Sequence, residues 1–119
     1  KLKILIVDDD PNTLAQLSRA FRMEGLEAVV ADSAPKALER LRDESFDAVV
    51  SDVVMPGVRG PELVRRLRAQ QPGLKVMLIS GHHQPSDASD EIPEGVRFLA
   101  KPFDRAMIAR AMRAVLDAA

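Results

Sequence analysis

The sequence contains no cysteine, which excludes a disulfide framework and a thiolate metal site. It also lacks a long apolar run, because segments such as Ile4–Val7 fall far short of the roughly 20 residues that cross a bilayer. No signal-peptide pattern precedes that segment. We therefore expect a soluble, cytoplasmic protein without a membrane partner.

Neither sign of charge is in excess: 17 Lys and Arg residues stand against 18 Asp and Glu residues, and the formal net charge is -1. This balance gives no electrostatic reason to expect direct nucleic-acid binding, so any acidity that matters must be local. The length of 119 residues, 46% of them hydrophobic, predicts a single domain over residues 1–119. Lys at position 1 instead of Met predicts a fragment or a trimmed chain, which leaves flanking domains open.

Short apolar segments that alternate with stretches of helical periodicity predict a strand-and-helix fold. The strands are expected at Ile4–Val7, Ala28–Ala31, Ala48–Ser51, Val76–Ile79 and Val96–Ala100. The first of these lacks polar alternation, as does a strand that is buried on both faces. Regular alternation with helices implies right-handed crossovers, so we predict a doubly wound α/β fold, with a parallel sheet between two helical layers.

The helices are predicted from their caps and apolar stripes. Asp10 fits an N-cap, Pro11 fits the first turn, and Gly25 ends the first helix. The other clear helices are expected after the N-cap Ser33, from Pro61 to about Gln70, and around Met107–Val115. The segment Gly81–Gly95, with two prolines and many short polar residues, predicts a fourth helix that is short or irregular.

Polar residues stand where the apolar segments end, namely Asp8, Asp9, Asp52, Ser80 and Lys101. Ligands of an open parallel sheet bind beyond the carboxyl ends of its strands, so these side chains are expected to converge. Clustered carboxylates repel one another, and oxygen ligands without Cys favour Mg²⁺. A carboxylate beside such a cation can attack phosphorus, while Lys and Ser stabilise the transferred oxygens.

Each of these residues, taken alone, also has an ordinary structural interpretation. An Asp-Asp pair is usually a solvated turn, a serine a cap or loop residue, and a lysine a surface cation; their coincidence favours a site. Proline after Lys101 marks a turn and is a candidate for a cis bond. His82 and His83 are adjacent in a polar loop, which is more typical of exposed histidines than of a zinc site.

Taken together, these motifs resemble the receiver domain of two-component response regulators over essentially the whole chain. The resemblance rests on Ile4–Asp10, Asp52–Gly57 followed by Gly60, Ile79–Gly81 and Phe98–Phe103. It implies a flavodoxin-like sheet with strand order 2-1-3-4-5. It also implies that the domain takes a phosphoryl group from a histidine kinase or phosphotransfer protein and catalyses only its own phosphorylation and dephosphorylation. The phosphorylated domain is expected to change shape and so control a fused output domain or a partner, and phosphorylation-dependent dimerisation is possible.

The resemblance also implies a role for each site residue. Asp52 is the phosphoacceptor, Asp8 and Asp9 bind Mg²⁺, for which Mn²⁺ is expected to substitute, and Asp52 and the Val54 carbonyl complete the ligands. Two further roles are assigned in pairs: Ser80 and Lys101 bind phosphoryl oxygens, and Ser80 and Phe98 form the switch. The chain departs from the family at Val58-Arg59-Gly60, at Gly81–Gly95 and in having Phe98 where Tyr is frequent. Val54 and His82, two residues beyond Asp52 and Ser80, are predicted to tune the phosphorylated lifetime.

Three other functions compete with this interpretation. A haloacid-dehalogenase-type phosphatase would use Asp8 as its nucleophile, but Asn12 stands where that motif favours Thr or Val, and the chain has no room for a substrate cap. A flavin- or dinucleotide-binding module would need a glycine- or hydroxyl-rich loop where three acids stand. A receiver that is no longer phosphorylated is disfavoured because all five expected site residues are present.

Overall fold

The computed structural model describes residues 2–52, 54–55, 58–80 and 96–117. Over these residues the chain forms seven strands and four helices that we label in chain order. The strands are β1 (Lys3–Val7), β2 (Glu27–Ala31), β3 (Ala48–Asp52), β4 (Val54–Met55), β5 (Val58–Arg59), β6 (Lys75–Ser80) and β7 (Arg97–Ala100). The helices are α1 (Pro11–Met23), α2 (Ala34–Asp43), α3 (Gly60–Gln70) and α4 (Arg105–Asp117).

Five strands form a parallel sheet in the order β2-β1-β3-β6-β7. Counted among themselves, these strands have the predicted order 2-1-3-4-5, so the predicted fold is confirmed. The structure adds a short antiparallel pair that was not predicted, in which Val54 pairs with Arg59 and Met55 with Val58. Strands of two residues are too short to give a periodic signal in the sequence.

Both faces of the sheet are covered, and the side chains of β1 show how. Ile4 and Ile6 pack with residues of α1 and α4, whereas Leu5 and Val7 pack with residues of α2 and α3. All four side chains are fully buried. This two-sided burial is the physical reason that Ile4–Val7 is apolar throughout, since none of these four positions on β1 faces water.

Both ends of α1 follow from local chemistry. The Asp10 carboxylate accepts a hydrogen bond from the Asn12 N–H at 3.0 Å, and Pro11 occupies the first turn. At the other end Gly25 has a φ of 81°, and its N–H donates to the Arg22 carbonyl. A residue with a side chain would be strained in that conformation, so glycine ends the helix. The N-cap places the start of α1 directly after Asp8 and Asp9.

The observed strands extend to two of the predicted site residues. Asp52 and Ser80, predicted to follow their strands, are the last residues of β3 and β6. β7 begins at Arg97, one residue later than predicted. The predicted irregular helix at Gly81–Gly95 lies outside the described residues. Among the helices that the structure describes, none is long and apolar enough to span a membrane.

Candidate functional site

Three carboxylates meet at the carboxyl edge of the sheet. Asp8, Asp9 and Asp52 each offer one oxygen, and these oxygens lie within 4.8 Å of one another. Asp8 and Asp9 follow β1 and Asp52 ends β3, and these two strands are hydrogen-bonded neighbours in which Val7 pairs with Ser51. The strand order is therefore what brings together acids that are more than forty residues apart in the sequence.

Asp8 is the buried member of this acidic cluster, with no exposed surface. Its Oδ1 accepts a hydrogen bond from the Asp10 N–H at 2.8 Å. Its Oδ2 is buried and has no hydrogen-bond partner among the residues that the structure describes. Burial, and then the negative charges of Asp52 and Asp9, raise the pKa of Asp8 above its ordinary value, although the Asp10 N–H and Lys101 act in the opposite direction.

Lys101 supplies the positive charge nearest to the acids in the described structure. Its Nζ lies 3.6 Å from Asp8 Oδ2 and 3.9 Å from Asp52 Oδ2. It directly follows β7, and its bond to Pro102 is cis. Because both distances exceed hydrogen-bonding range, one ammonium group faces two carboxylates without forming a close pair with either. The cluster thus keeps excess negative charge, which favours a further cation.

Asp52 differs from Asp8 in how far water and ligands can reach it. The Asp52 side chain is 15% exposed, whereas that of Asp8 is fully buried. A reagent that approaches from solvent can therefore contact Asp52 but not Asp8. Asp9 is exposed and borders the same group of oxygens.

The donor set suits a hard divalent cation. All three side chains offer oxygen, and Asp8 Oδ2, which accepts no hydrogen bond from any described residue, is the kind of buried atom that a metal would satisfy. Asp8, Asp9 and Asp52 are the residues that would hold Mg²⁺, and the ion would offset the mutual repulsion of their charges.

The other predicted site residues are described less fully. Ser80 ends β6, the strand next to β3, so its main chain reaches the same edge of the sheet. Val54 begins β4. Phe98 in β7 is half-buried and packs against the core on the α2 and α3 side. His82 lies outside the described residues.

Two features near the site were not found from the sequence. The first is Ser51, a fully buried serine whose Oγ donates a hydrogen bond to the Asp52 carbonyl oxygen at 3.1 Å. The second is an open groove of about 620 Å³ along α1. The groove is lined by Leu14, Ala15, Ser18, Arg19, Arg22, Met23 and Val30. Met23 and Val30 are among the few large apolar side chains that the described structure leaves exposed. The sequence signal for this groove is the pair of arginines, Arg19 and Arg22, interleaved with apolar residues on α1.

The comparison with protein families decides the identity. Residues 4–113 match the family model of the response regulator receiver domain. The chain belongs to that family. Receiver domains are the phosphoacceptor switches of two-component systems and use Mg²⁺ at an acidic pocket, and the Asp8, Asp9 and Asp52 cluster matches such a pocket. The haloacid-dehalogenase alternative gains no support from these matches.

Individual relatives agree with this assignment. The transcriptional regulatory protein GlrR of Escherichia coli K12 is 34% identical over 115 residues, which are 96% of this chain and 26% of that protein. The receiver protein CpdR of Brucella abortus is 33% identical over 102 residues, 85% of each chain. The receiver domain of the hybrid histidine kinase CckA superposes with a TM-score of 0.80 at 30% identity, over 97% of this chain and 99% of that one. The chain thus spans about a quarter of GlrR but nearly all of the CckA domain.

Proposed function

We propose that residues 1–119 form one receiver domain that accepts a phosphoryl group on Asp52 in a Mg²⁺-dependent reaction. The observation that carries this proposal is the difference in exposure between Asp52 and Asp8, 15% against none. A donor must bring its phosphorus within bonding distance of the attacking oxygen, which a fully buried carboxylate does not allow. Lys101, 3.9 Å from Asp52 Oδ2, places a cation where charge develops during transfer.

The transfer itself is a nucleophilic displacement. An oxygen of Asp52 bonds to phosphorus while the bond from phosphorus to the donor's imidazole nitrogen breaks, and its electron pair returns to that nitrogen. Lys101 and the Ser80 hydroxyl then hold the phosphoryl oxygens. Asp8, Asp9 and the Val54 carbonyl, with Asp52, bind the cation, which neutralises phosphoryl charge when bound. Mn²⁺ substitutes for Mg²⁺ because both accept this oxygen ligand set.

The aspartyl phosphate is expected to be both a signal and a timer. Ser80 moves toward the phosphoryl group and Phe98, half-buried in β7, turns further inward, which changes the surface that a partner contacts. Val54 and His82 tune the lifetime by blocking or orienting the attacking water. A double variant, Val54→Asn with His82→Ala, therefore changes the dephosphorylation rate, and an unchanged rate would contradict this role.

The donor is proposed to be a histidine kinase or a histidine phosphotransfer protein that docks along α1. This helix begins beside the acids, and the groove along it combines exposed Met23 with Arg19 and Arg22, which suits a donor with an apolar, acidic surface. The double variant Arg19→Glu, Arg22→Glu should slow transfer from the donor protein by about tenfold or more at low salt. Phosphorylation by acetyl phosphate should be unchanged, and an equal loss with both donors would contradict docking here.

The rest of the signalling path is proposed from the longer relatives. GlrR extends far beyond the matched region, so we propose that this receiver controls an output domain or a partner, with dimerisation on phosphorylation as one means of doing so. The domain is placed in the cytoplasm, where it meets its kinase, and it does not itself bind nucleic acid or membrane.

Acetyl phosphate with Mg²⁺ tests the proposal without a cognate kinase. The wild-type protein should gain the mass of one phosphoryl group, and the gain should disappear with EDTA and in Asp52→Asn. Asp47→Asn is the matched control, since that acid lies at the opposite edge of the sheet, where it accepts from the Lys3 N–H. Unchanged labelling of Asp52→Asn would overturn the assignment of Asp52.

A further inference from the structure

Ser51, the residue before the proposed phosphoacceptor, is a polar side chain in an apolar layer. It has no exposed surface, and the residues that pair with it on the flanking strands, Val7 and Leu78, are fully buried as well. A hydroxyl in such surroundings is costly unless it forms a hydrogen bond. Its presence there therefore depends on the partner that it finds.

That partner is the main chain of the proposed phosphoacceptor. Ser51 Oγ donates to the carbonyl oxygen of Asp52 at 3.1 Å. The carbonyl belongs to the peptide that follows Asp52, so the bond restrains the direction in which the chain leaves β3. The described chain resumes at Val54, whose carbonyl is one of the proposed metal ligands.

We propose that Ser51 is a positioning residue for the cation site. By holding the Asp52 carbonyl, its hydroxyl fixes the end of β3 and so the placement of the Val54 carbonyl relative to the carboxylates. This inference rests on the proposed function, because it takes the acid cluster and the Val54 carbonyl as the binding site for Mg²⁺. It concerns a residue that does not itself touch the cation or the phosphoryl group.

Two substitutions separate positioning from simple packing. Ser51→Ala removes the hydroxyl and leaves almost the same shape, whereas Ser51→Thr keeps the hydroxyl and adds a methyl group to a closely packed layer. If the hydrogen bond matters, Ala weakens the site and Thr restores it. If only packing matters, Thr is the more harmful change, since added volume strains a filled core.

The test is a Mg²⁺ titration followed by the NMR shifts of backbone amides, which reports affinity without phosphorylation. Ser51→Ala should bind Mg²⁺ about tenfold more weakly than wild type, as is typical when a group that supports metal ligands is removed. Ser51→Thr should stay within about threefold of wild type. Gln71→Leu, which removes a side-chain hydrogen bond to the Phe46 carbonyl before the start of β3, is the matched control and should leave the affinity unchanged.

The Mg²⁺ affinities distinguish failure of the positioning role from failure of the proposed function. If wild type binds Mg²⁺ and Ser51→Ala binds it equally well, or if Thr weakens binding more than Ala, the positioning role is wrong while the proposed function stands. If wild type does not bind Mg²⁺, the proposed function fails first. Thermal unfolding without Mg²⁺ shows whether each variant is folded. If Ser51→Ala does not fold, Ser51→Cys replaces it, because a thiol has a similar shape and is a weaker donor. This variant should also bind Mg²⁺ more weakly than wild type.

Discussion

The two ends of β1 carry opposite kinds of charge cluster. At its beginning, Lys3 Nζ lies 2.7 Å from Glu44 and 3.8 Å from Glu27, and it stands over the ring of Phe46 at 5.7 Å. Beyond its end, Asp8 meets two other carboxylates, and Lys101 Nζ, the nearest cation among the described residues, lies 3.6 Å away. The first cluster is closely paired, whereas the second keeps a buried oxygen without a hydrogen-bond partner among the described residues.

The pKa shifts express the same contrast. The hydrogen bond to Glu44 raises the pKa of Lys3, which means that folding favours its charged form. Burial raises the pKa of Asp8, which means that folding disfavours its charged form. The Lys3 end therefore stabilises the fold by itself, while the Asp8 end gains most from a ligand.

Loss of Lys101 should have the largest effect. Lys101→Ala removes the cation facing Asp8 and Asp52, so we expect phosphorylation by acetyl phosphate to slow by about 100-fold, the typical loss of one charge-stabilising group. The measurement is the rate of phosphoprotein formation by intact mass. Lys3→Ala is the matched control at the other end of β1 and should phosphorylate at the wild-type rate. Similar losses of rate in both variants would mean that the two charge clusters at the ends of β1 do not act independently.

Neutralising Asp8 should stabilise the protein while harming the site. Asp8→Asn keeps an oxygen for the Asp10 N–H and removes a buried charge, so without Mg²⁺ the free energy of unfolding should rise by about 1 to 2 kcal/mol. Mg²⁺ should then stabilise the variant less than it stabilises wild type. Urea unfolding with and without Mg²⁺ measures both effects. A less stable variant would contradict the view that burial of the charged Asp8 carboxylate destabilises the fold.

The pH dependence of stability should carry the sign of the Asp8 shift. With its folded pKa raised, Asp8 binds more protons in the folded than in the unfolded state between its two pKa values. Stability without Mg²⁺ should therefore rise as pH falls through the folded pKa toward the unfolded value. The difference in the free energy of unfolding between wild type and Asp8→Asn should shrink over that window. A difference that widens as pH falls would mean that the pKa is lowered instead.

The smallest effect is expected at the paired end. Glu44→Gln weakens the contact with Lys3, but both side chains are partly exposed and screened by water, so the midpoint of urea unfolding should fall only slightly. Phosphorylation should not change. A loss of phosphorylation in this variant would show that the paired end influences the acidic one through the length of β1.

Local patterns explain how much of this architecture was predictable. The N-caps Asp10 and Ser33, the glycine at 25 and the apolar strands are signals within a few residues, and the structure confirms each of them. Asp8 and Asp9 are also adjacent, yet one is buried and the other exposed. Successive side chains beyond a strand point in different directions, so the pair had to be seen in three dimensions before its members could be told apart.

Other features depend on contacts that no short pattern encodes. The β4 and β5 pair was missed because two residues give no alternation, and Ser51 was counted only as part of an apolar strand. Its hydrogen bond to the Asp52 carbonyl depends on the backbone at the end of β3. The convergence of Lys101 with the acids was expected from the strand ends, but the distances that leave Asp8 Oδ2 without a hydrogen-bond partner among the described residues depend on packing.

Mapping the phosphorylated residue distinguishes Asp52 from Asp8 as the nucleophile. After incubation with acetyl phosphate and Mg²⁺, the acyl phosphate can be trapped by borohydride reduction and located by peptide mass spectrometry. We expect modification at Asp52 alone, which unlike Asp8 is accessible to the reagent, and no turnover of phosphate esters. Modification at Asp8, with hydrolysis of such esters, would contradict it and would favour a phosphatase that uses the first strand's acid.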